Sequence, residues 1–280
     1  MARGVKVVLV GLVLGGATLV GLLFVFQNKL IYFPRRYSAA QAPGGGAAAA
    51  FHSFSGPGGR RLWGYLIEPP ASAWARPRPG FYLVFYGNAT LAAEIAPYFE
   101  ALARRTGCGF FIADYRGYGF NPGRPTEAAL TADALAAYDA LAAEGRFEEG
   151  AGLIGLSLGG GVAFAVAEAR PAERLIALST FTSIDDVARH YYPRPLTWLL
   201  RNHWPNDARL RRILARPAEA RPSEILILHG RSDEVIPFEL GERLARLGGS
   251  AVTFQPVEAT HNDVLEAAFD ALVESLEGRK

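Results

Sequence analysis

Apolar and polar positions divide the chain into a regular series of elements. Residues 81–85, 109–113, 151–156, 175–179, 225–229 and 251–257 form short apolar stretches and read as buried strands. Residues 51–54 and 62–67 are shorter runs that read as an antiparallel edge. Helical spacing fills the gaps, for example over residues 160–168 and 264–276. Strands alternating with helices predict an α/β fold, a mostly parallel sheet covered by helices on both faces. One apolar stretch is of a different kind. Residues 7–26 carry no charge, and a helix of that length, at about 1.5 Å per residue, spans about 30 Å, the thickness of a bilayer's hydrocarbon core. The pattern therefore predicts an N-terminal membrane anchor over residues 1–36, an Ala/Gly linker over 37–50 and one globular domain over 51–280. A chain beginning near Phe51 is expected to keep the whole core. The stretch 180–222 exceeds an ordinary crossover and carries Tyr191, Tyr192, Trp198, Leu199, Leu200 and Trp204, so it is expected to form a small cap.

The chemistry is concentrated at strand ends. Gly155-Leu156-Ser157-Leu158-Gly159 follows a strand and opens a helix, the setting in which a serine on a tight turn projects its hydroxyl into a pocket. A serine hydroxyl is a weak nucleophile until a base takes its proton, and an acid must hold that base in the right tautomer. In this arrangement the chain order is Ser, then Asp or Glu, then His. Asp233 follows the strand at 225–229, and His261 follows the last strand, so both lie at the sheet edge where ligands bind in open α/β sheets. His261 has four competitors, His52, His190, His203 and His229; the last reads as a packing or hydrogen-bonding residue at its strand end. Asp233 competes with Glu234, Asp185, Asp186 and Asp263, of which Asp263 reads as the cap of the last helix. An oxyanion hole needs two backbone donors, one after the nucleophile and one from the loop after an early strand. Leu158 and Asn88 supply these candidates, with Ala89 as the fallback. Asp114-Tyr115-Arg116-Gly117-Tyr118-Gly119 reads as a turn with an ion pair and is given no chemistry.

Taken together, these segments resemble the membrane-anchored, single-domain branch of the α/β-hydrolase superfamily. That branch includes palmitoyl-protein thioesterases, monoacylglycerol and lysophospholipid lipases, and prolyl-oligopeptidase-like relatives. The matching segments are Asn28-Lys29-Leu30-Ile31-Tyr32-Phe33-Pro34, Gly87-Asn88-Ala89, the Asp114 to Gly119 run with Pro125-Thr126-Glu127, the Ser157 pentapeptide, His229-Gly230-Arg231-Ser232-Asp233-Glu234-Val235-Ile236-Pro237 and His261-Asn262-Asp263. The resemblance implies an α/β-hydrolase fold and ester or thioester hydrolysis through Ser157, His261 and Asp233, with no metal and no cofactor. In one place the chain departs from it. The family usually has a histidine before the oxyanion-loop glycine, and here Tyr86 stands there.

Composition narrows the alternatives. The chain has 280 residues, half of them hydrophobic, enough to bury one sizeable α/β core. A net charge of +2 argues against a nucleic-acid partner. Arg201, Arg209, Arg211, Arg212, Arg216 and Arg221 cluster and read as a solvated helical face, with attraction to anionic lipid headgroups as the second reading. The single Cys108 excludes an intramolecular disulfide and reads as buried. Gln27-Asn28-Lys29 lacks the small residues of a signal-peptidase site, so the anchor is expected to stay uncleaved. A short N-terminus ahead of a large domain suggests a single-pass protein with the domain outside the cytoplasm. The expected partners are a small acyl ester or thioester and the lipid bilayer. A serine peptidase of the same fold and a tethered binding protein without turnover are the competing readings.

Overall fold

The computed structural model describes residues 2–38, 50–68, 80–148 and 150–278. Most of the expected linker, residues 39–49, lies outside the described residues. Eight strands form one sheet: β1 (Phe51–Ser55), β2 (Arg61–Ile67), β3 (Phe81–Phe85), β4 (Gly109–Ala113), β5 (Ala151–Leu156), β6 (Arg174–Leu178), β7 (Glu224–Gly230) and β8 (Thr253–Val257). Their order is β1-β2-β4-β3-β5-β6-β7-β8, with β1, β2 and β4 paired antiparallel and the remainder parallel. The strand order turns back at β3, whose neighbours are β4 on one side and β5 on the other. Loops after β3 and β5 therefore diverge and leave a crevice between them, the usual ligand position in such sheets. All residues of β3 and β4 are buried, as expected for strands covered on both faces.

Crossovers are made by α2 (Ala92–Thr106), α3 (Glu127–Ala143), α4 (Leu158–Ala169), α7 (Asn206–Leu214) and α8 (Phe238–Gly248), with α9 (Val264–Ala267) and α10 (Phe269–Glu277) closing the chain. Between β6 and α7 lie two short helices, α5 (Ile184–Tyr191) and α6 (Arg194–Thr197). The expected cap is thus shorter than 180–222. The parallel step from β6 to β7 needs a helix on the sheet face, and α7 fills that role by packing against α4 and α8. Arg209 on α7 is buried and pairs with Glu127 at 2.8 Å and Glu168 at 3.4 Å, so the arginine cluster is not a uniformly solvated face. Cys108 is buried as expected.

At the N-terminus, helix α1 runs Ala2–Ile31. Among the described residues no single helix is long and apolar enough to cross a membrane; Leu14–Leu22 and Phe24–Ile31 meet that test only as a pair bent by 42°. The span expected at residues 7–26 therefore does not pass as one helix. Side-chain donors reach the backbone near the bend, a recognised cause of kinks: Gln27 Nε2 and Arg201 Nη2 donate to the Phe24 carbonyl at 3.0 and 2.8 Å. Beyond the bend the helix docks on the domain. Gln27, Tyr32 and Tyr37 are buried, and Tyr32 and Tyr37 belong to the main hydrophobic core. The core thus begins well before Phe51, and the boundary expected there cuts through it.

Candidate functional site

Ser157 sits between β5 and α4 with φ 51° and ψ −116°, a strained conformation for a residue with a β-carbon. The flanking glycines make that turn possible. A β-carbon on Gly155 would approach the Gly159 carbonyl oxygen to 2.5 Å, and one on Gly159 would approach the Phe85 carbonyl oxygen to 2.1 Å. The turn therefore packs backbone on backbone beneath the serine. Leu158 is the first residue of α4, and the first amides of a helix have no acceptor within it. The Leu158 amide is thus one of those without a partner inside α4.

The structure brings Ser157, His261 and Asp233 together. Ser157 Oγ lies 3.0 Å from His261 Nε2, and His261 Nδ1 lies 2.9 and 2.8 Å from the two Asp233 oxygens. A carboxylate can only accept, so Nδ1 carries the ring proton and Nε2 faces the serine hydroxyl as an acceptor. The Asp233 side chain is fully buried. Burial alone would raise its pKa, but hydrogen bonds from His229, His261 and the Ile236 amide outweigh burial and hold the carboxyl well below the usual carboxylate range.

The other candidates lie elsewhere. His52 pairs with Glu144 at 2.8 Å, His203 with Asp185 at 2.8 Å, and the His190 ring packs against Tyr191. Asp186 accepts from the Thr182 hydroxyl at 2.6 Å. Buried His229 lies beneath the acid, its Nε2 at 3.0 Å from the Ile236 carbonyl and 3.4 Å from Asp233. Glu234 is exposed and accepts the His261 amide at 3.2 Å, so it touches the backbone of His261 and not its ring. Asp263 stands at the N-cap position of α9 without a side-chain capping bond; its carboxylate instead accepts the Thr260 hydroxyl at 2.6 Å. The hydroxyl three residues upstream takes the acceptor that the helix amides were expected to use.

Asn88 lies in the loop after β3, beside Ser157 in the same cavity. The loop is supported from behind by Tyr86, the residue in the histidine's place, and by Asp114 and Tyr115, which the sequence reading gave no chemistry. Tyr86 is fully buried, and its hydroxyl donates to Asp114 Oδ1 at 2.8 Å. Asp114 Oδ1 also accepts the Ala92 amide at 3.2 Å, while the Tyr115 hydroxyl donates to the Tyr86 carbonyl at 2.6 Å. Burial pushes the Asp114 carboxyl up to about 6, against the lowering effect of those donors. Tyr86, at the position where the resemblance leads one to expect a histidine, is thus tied to this carboxylate.

A cavity of about 600 Å³ opens above Ser157. Its lining is mainly aliphatic and aromatic, from Leu156, Phe181, Val235 and Leu265 in the domain, Val187, Tyr191, Tyr192, Leu196 and Leu200 in the cap, and Leu30, Ile31 and Phe33 at the end of α1. The contribution from α1 was not foreseen. Among the described residues no group of three or more His, Cys, Asp or Glu side chains could hold a metal ion.

No family model matches the chain. Over 265 residues it is 33% identical to the uncharacterized protein Rv2307c of Mycobacterium tuberculosis, an alignment that covers 92% of this chain and 87% of that one. The chain belongs to the Rv2307c family. Human alpha/beta hydrolase domain-containing protein 17B is 32% identical over 191 residues, 67% of this chain and 62% of the human one. Among solved structures, the esterase domain from a Rhodothermus marinus protein superposes with a TM-score of 0.59 at 19% identity, covering 81% of this chain and 97% of that chain. This member of the Rv2307c family has the α/β-hydrolase fold.

Proposed function

We propose that the protein is a serine hydrolase acting on ester or thioester bonds of acyl, lipid-like substrates, held at a membrane by α1. The observation that carries this reading is the Ser157–His261–Asp233 chain of contacts, at 3.0 and 2.8 Å, at the base of an apolar cavity of about 600 Å³. In the proposed cycle His261 takes the proton of Ser157 as Oγ attacks the acyl carbonyl, and Asp233 orients and stabilises the imidazolium. The Leu158 and Asn88 amides receive the developing oxyanion. His261 then protonates the departing alkoxide or thiolate, leaving an acyl-Ser157 ester. A water, deprotonated by the same imidazole, attacks that ester, and the carboxylic acid leaves as Ser157 regains its proton.

The lining favours an acyl chain over a peptide, because Leu, Val, Ile and Phe side chains reward burial of methylenes. Each buried methylene is worth up to about 0.8 kcal/mol. Medium- and long-chain esters should therefore exceed acetyl esters in kcat/KM by at least about tenfold, with peptide amides near background. Support for the anchor comes from the bent apolar pair, from Lys29 in its last turn and from Arg35 and Arg36 after it, cations suited to an interface. On this reading the protein is single-pass, with the hydrolase domain on the extracytoplasmic side.

The test is a panel of monomeric acyl esters, thioesters and peptide amides with the purified full-length protein, together with fluorophosphonate labelling and carbonate extraction of membranes. A chain-length profile that is flat or falls beyond acetyl would favour a small-ester esterase. Efficient amide cleavage would favour a peptidase. Absence of labelling at Ser157 would overturn the hydrolase reading.

A further inference from the structure

The end of α1 and the strap that follows it, residues 27–38, are bonded to both sides of the cavity. Toward the cap, Gln27 donates to the Leu199 carbonyl at 3.0 Å and accepts the Arg201 amide at 2.7 Å. Asn202 accepts the Tyr32 hydroxyl at 3.0 Å and donates to the Asn28 side chain at 2.7 Å. Toward the loop after β3, Asn88 Nδ2 donates to the Ile31 carbonyl at 2.5 Å, and Asn88 Oδ1 accepts the Phe33 amide at 2.9 Å. Arg35 donates to the Ala89 carbonyl at 3.3 Å and pairs with Glu94 at 2.6 Å. The Tyr37 hydroxyl accepts the Ala93 amide at 3.1 Å. Five of these contacts fall on residues 88, 89, 93 and 94, the loop expected to carry an oxyanion donor and the first turn of α2 behind it.

That loop requires support. Ala89 holds φ 56°, in the left-handed region. A residue with a β-carbon is disfavoured there, and such strain persists only where the surroundings over-determine it. The geometry points to this strap as a positioning element of the oxyanion hole. Ile31, Phe33 and Arg35 hold the Asn88–Ala89 turn in its strained form, so that the Asn88 amide faces the substrate oxygen beside Ser157. Because the same strap is tied to the cap through Gln27, Asn28 and Tyr32, the seating of α1 and the geometry of the oxyanion hole are coupled. The anchor is thus part of the catalytic apparatus as well as a tether. This inference rests on the acyl-transfer reading above.

The test uses the full-length protein and three substitutions. Arg35→Met removes an exposed guanidinium, so folding should survive. Phe33→Pro deletes the amide that Asn88 accepts, and Phe33→Ala controls for loss of the ring. Arg35→Met and Phe33→Pro are expected to lower kcat on the order of tenfold at every acyl chain length with KM little changed, a part of the roughly 10²–10³-fold lost when an oxyanion donor is removed outright. Phe33→Ala, which trims the cavity wall, should instead raise KM for long chains. Adding Ala89→Gly to Arg35→Met should recover part of kcat, because glycine holds positive φ without strain. Amide hydrogen exchange across residues 86–91 should accelerate in Arg35→Met, and this readout does not depend on any ester being turned over. Unchanged exchange there, or a loss confined to KM, would overturn the strap's role. If the wild-type protein hydrolysed no acyl ester, the functional reading would fall separately, while exchange would still decide whether the strap braces the loop.

Discussion

Replacing Asp233 with Asn probes the acid at the position where its environment is most demanding. Asp233 Oδ1 accepts the amides of Val235 and Ile236 at 3.0 and 2.7 Å, and both oxygens face His261 Nδ1. An asparagine of the same shape keeps one acceptor for those two amides, so the turn should form. Its NH₂ then points at His261 Nδ1 and can only donate. The ring proton is driven to Nε2, which no longer accepts from Ser157. Loss of the correct tautomer in a serine-protease triad lowers kcat by about 10⁴, equivalent to about 5.5 kcal/mol in the barrier. The control is Glu234→Gln, an exposed side chain whose contact is the His261 amide at 3.2 Å. Losing that contact should cost about 1 kcal/mol or less, within roughly fivefold in rate. The assay is kcat/KM on a soluble chromogenic acyl ester. The reasoning fails if Asp233→Asn stays within tenfold of wild type, or if Glu234→Gln falls as far. Stability provides a second check. The Asp233 carboxyl is held below its unfolded value, so its stabilisation is present above the unfolded carboxylate pKa of about 3.9 and is lost as pH falls below it. The melting deficit of Asp233→Asn should therefore be largest near neutral pH and should shrink in acid.

Ser157→Ala and His261→Ala should each lower kcat by about 10⁴ or more, with the double variant no worse than the singles, because the residues act as a unit; additive losses would argue against that. A chain beginning at Phe51 lacks Tyr32 and Tyr37, both buried in the core, and burial of side chains this large is worth about 2–3 kcal/mol each. It should melt well below a chain beginning at Phe24, or aggregate, and equal melting temperatures would show that the strap is dispensable for stability. Asp114 has its carboxyl pushed up to about 6, so the stability of its protonated form is complete below the unfolded value of about 3.9 and is lost as pH rises through 6. Relative to Asp114→Asn, the unfolding free energy of the wild type should fall by up to about 3 kcal/mol over that window, and parallel pH profiles in denaturant titrations would refute the assignment.

The sheet and the Ser157–His261–Asp233 contacts were legible because each is encoded within a few consecutive residues. An apolar run sets a strand, and the serine, acid or base stands just beyond its end. The supporting residues are encoded differently. Tyr86 and Asp114 are 28 positions apart, and Asn88 and Ile31 are 57 apart, so no local periodicity could pair them. A signal was nevertheless present. Asn28 to Pro34 and Asp114 to Gly119 were both among the segments matching the α/β-hydrolase pattern, although neither had chemistry to perform. Such segments are what the support of a loop beside Ser157 looks like from the sequence alone.

The two misplaced boundaries have a common physical origin. Length suggested that residues 180–222 form a cap, but a parallel connection already requires a covering helix, and α7 with buried Leu210 and Ile213 supplies it. Only the part before α7 remains to cover the cavity. At the N-terminus, hydropathy ended the apolar span where Gln27, Asn28 and Lys29 begin, and the segment up to residue 50 was kept apart from a domain expected from residue 51. Polarity there marked a docking surface, since Gln27 is buried by its bonds to Leu199 and Arg201 and Asn28 is bonded to Asn202. A polar residue next to an apolar helix has two ways to satisfy its hydrogen bonds, with water or with a fixed partner, and hydropathy cannot tell them apart. The distinction lies in what the sequence places far away, here residues 199–202, and it decides whether the end of α1 stands apart from the domain or lines its cavity.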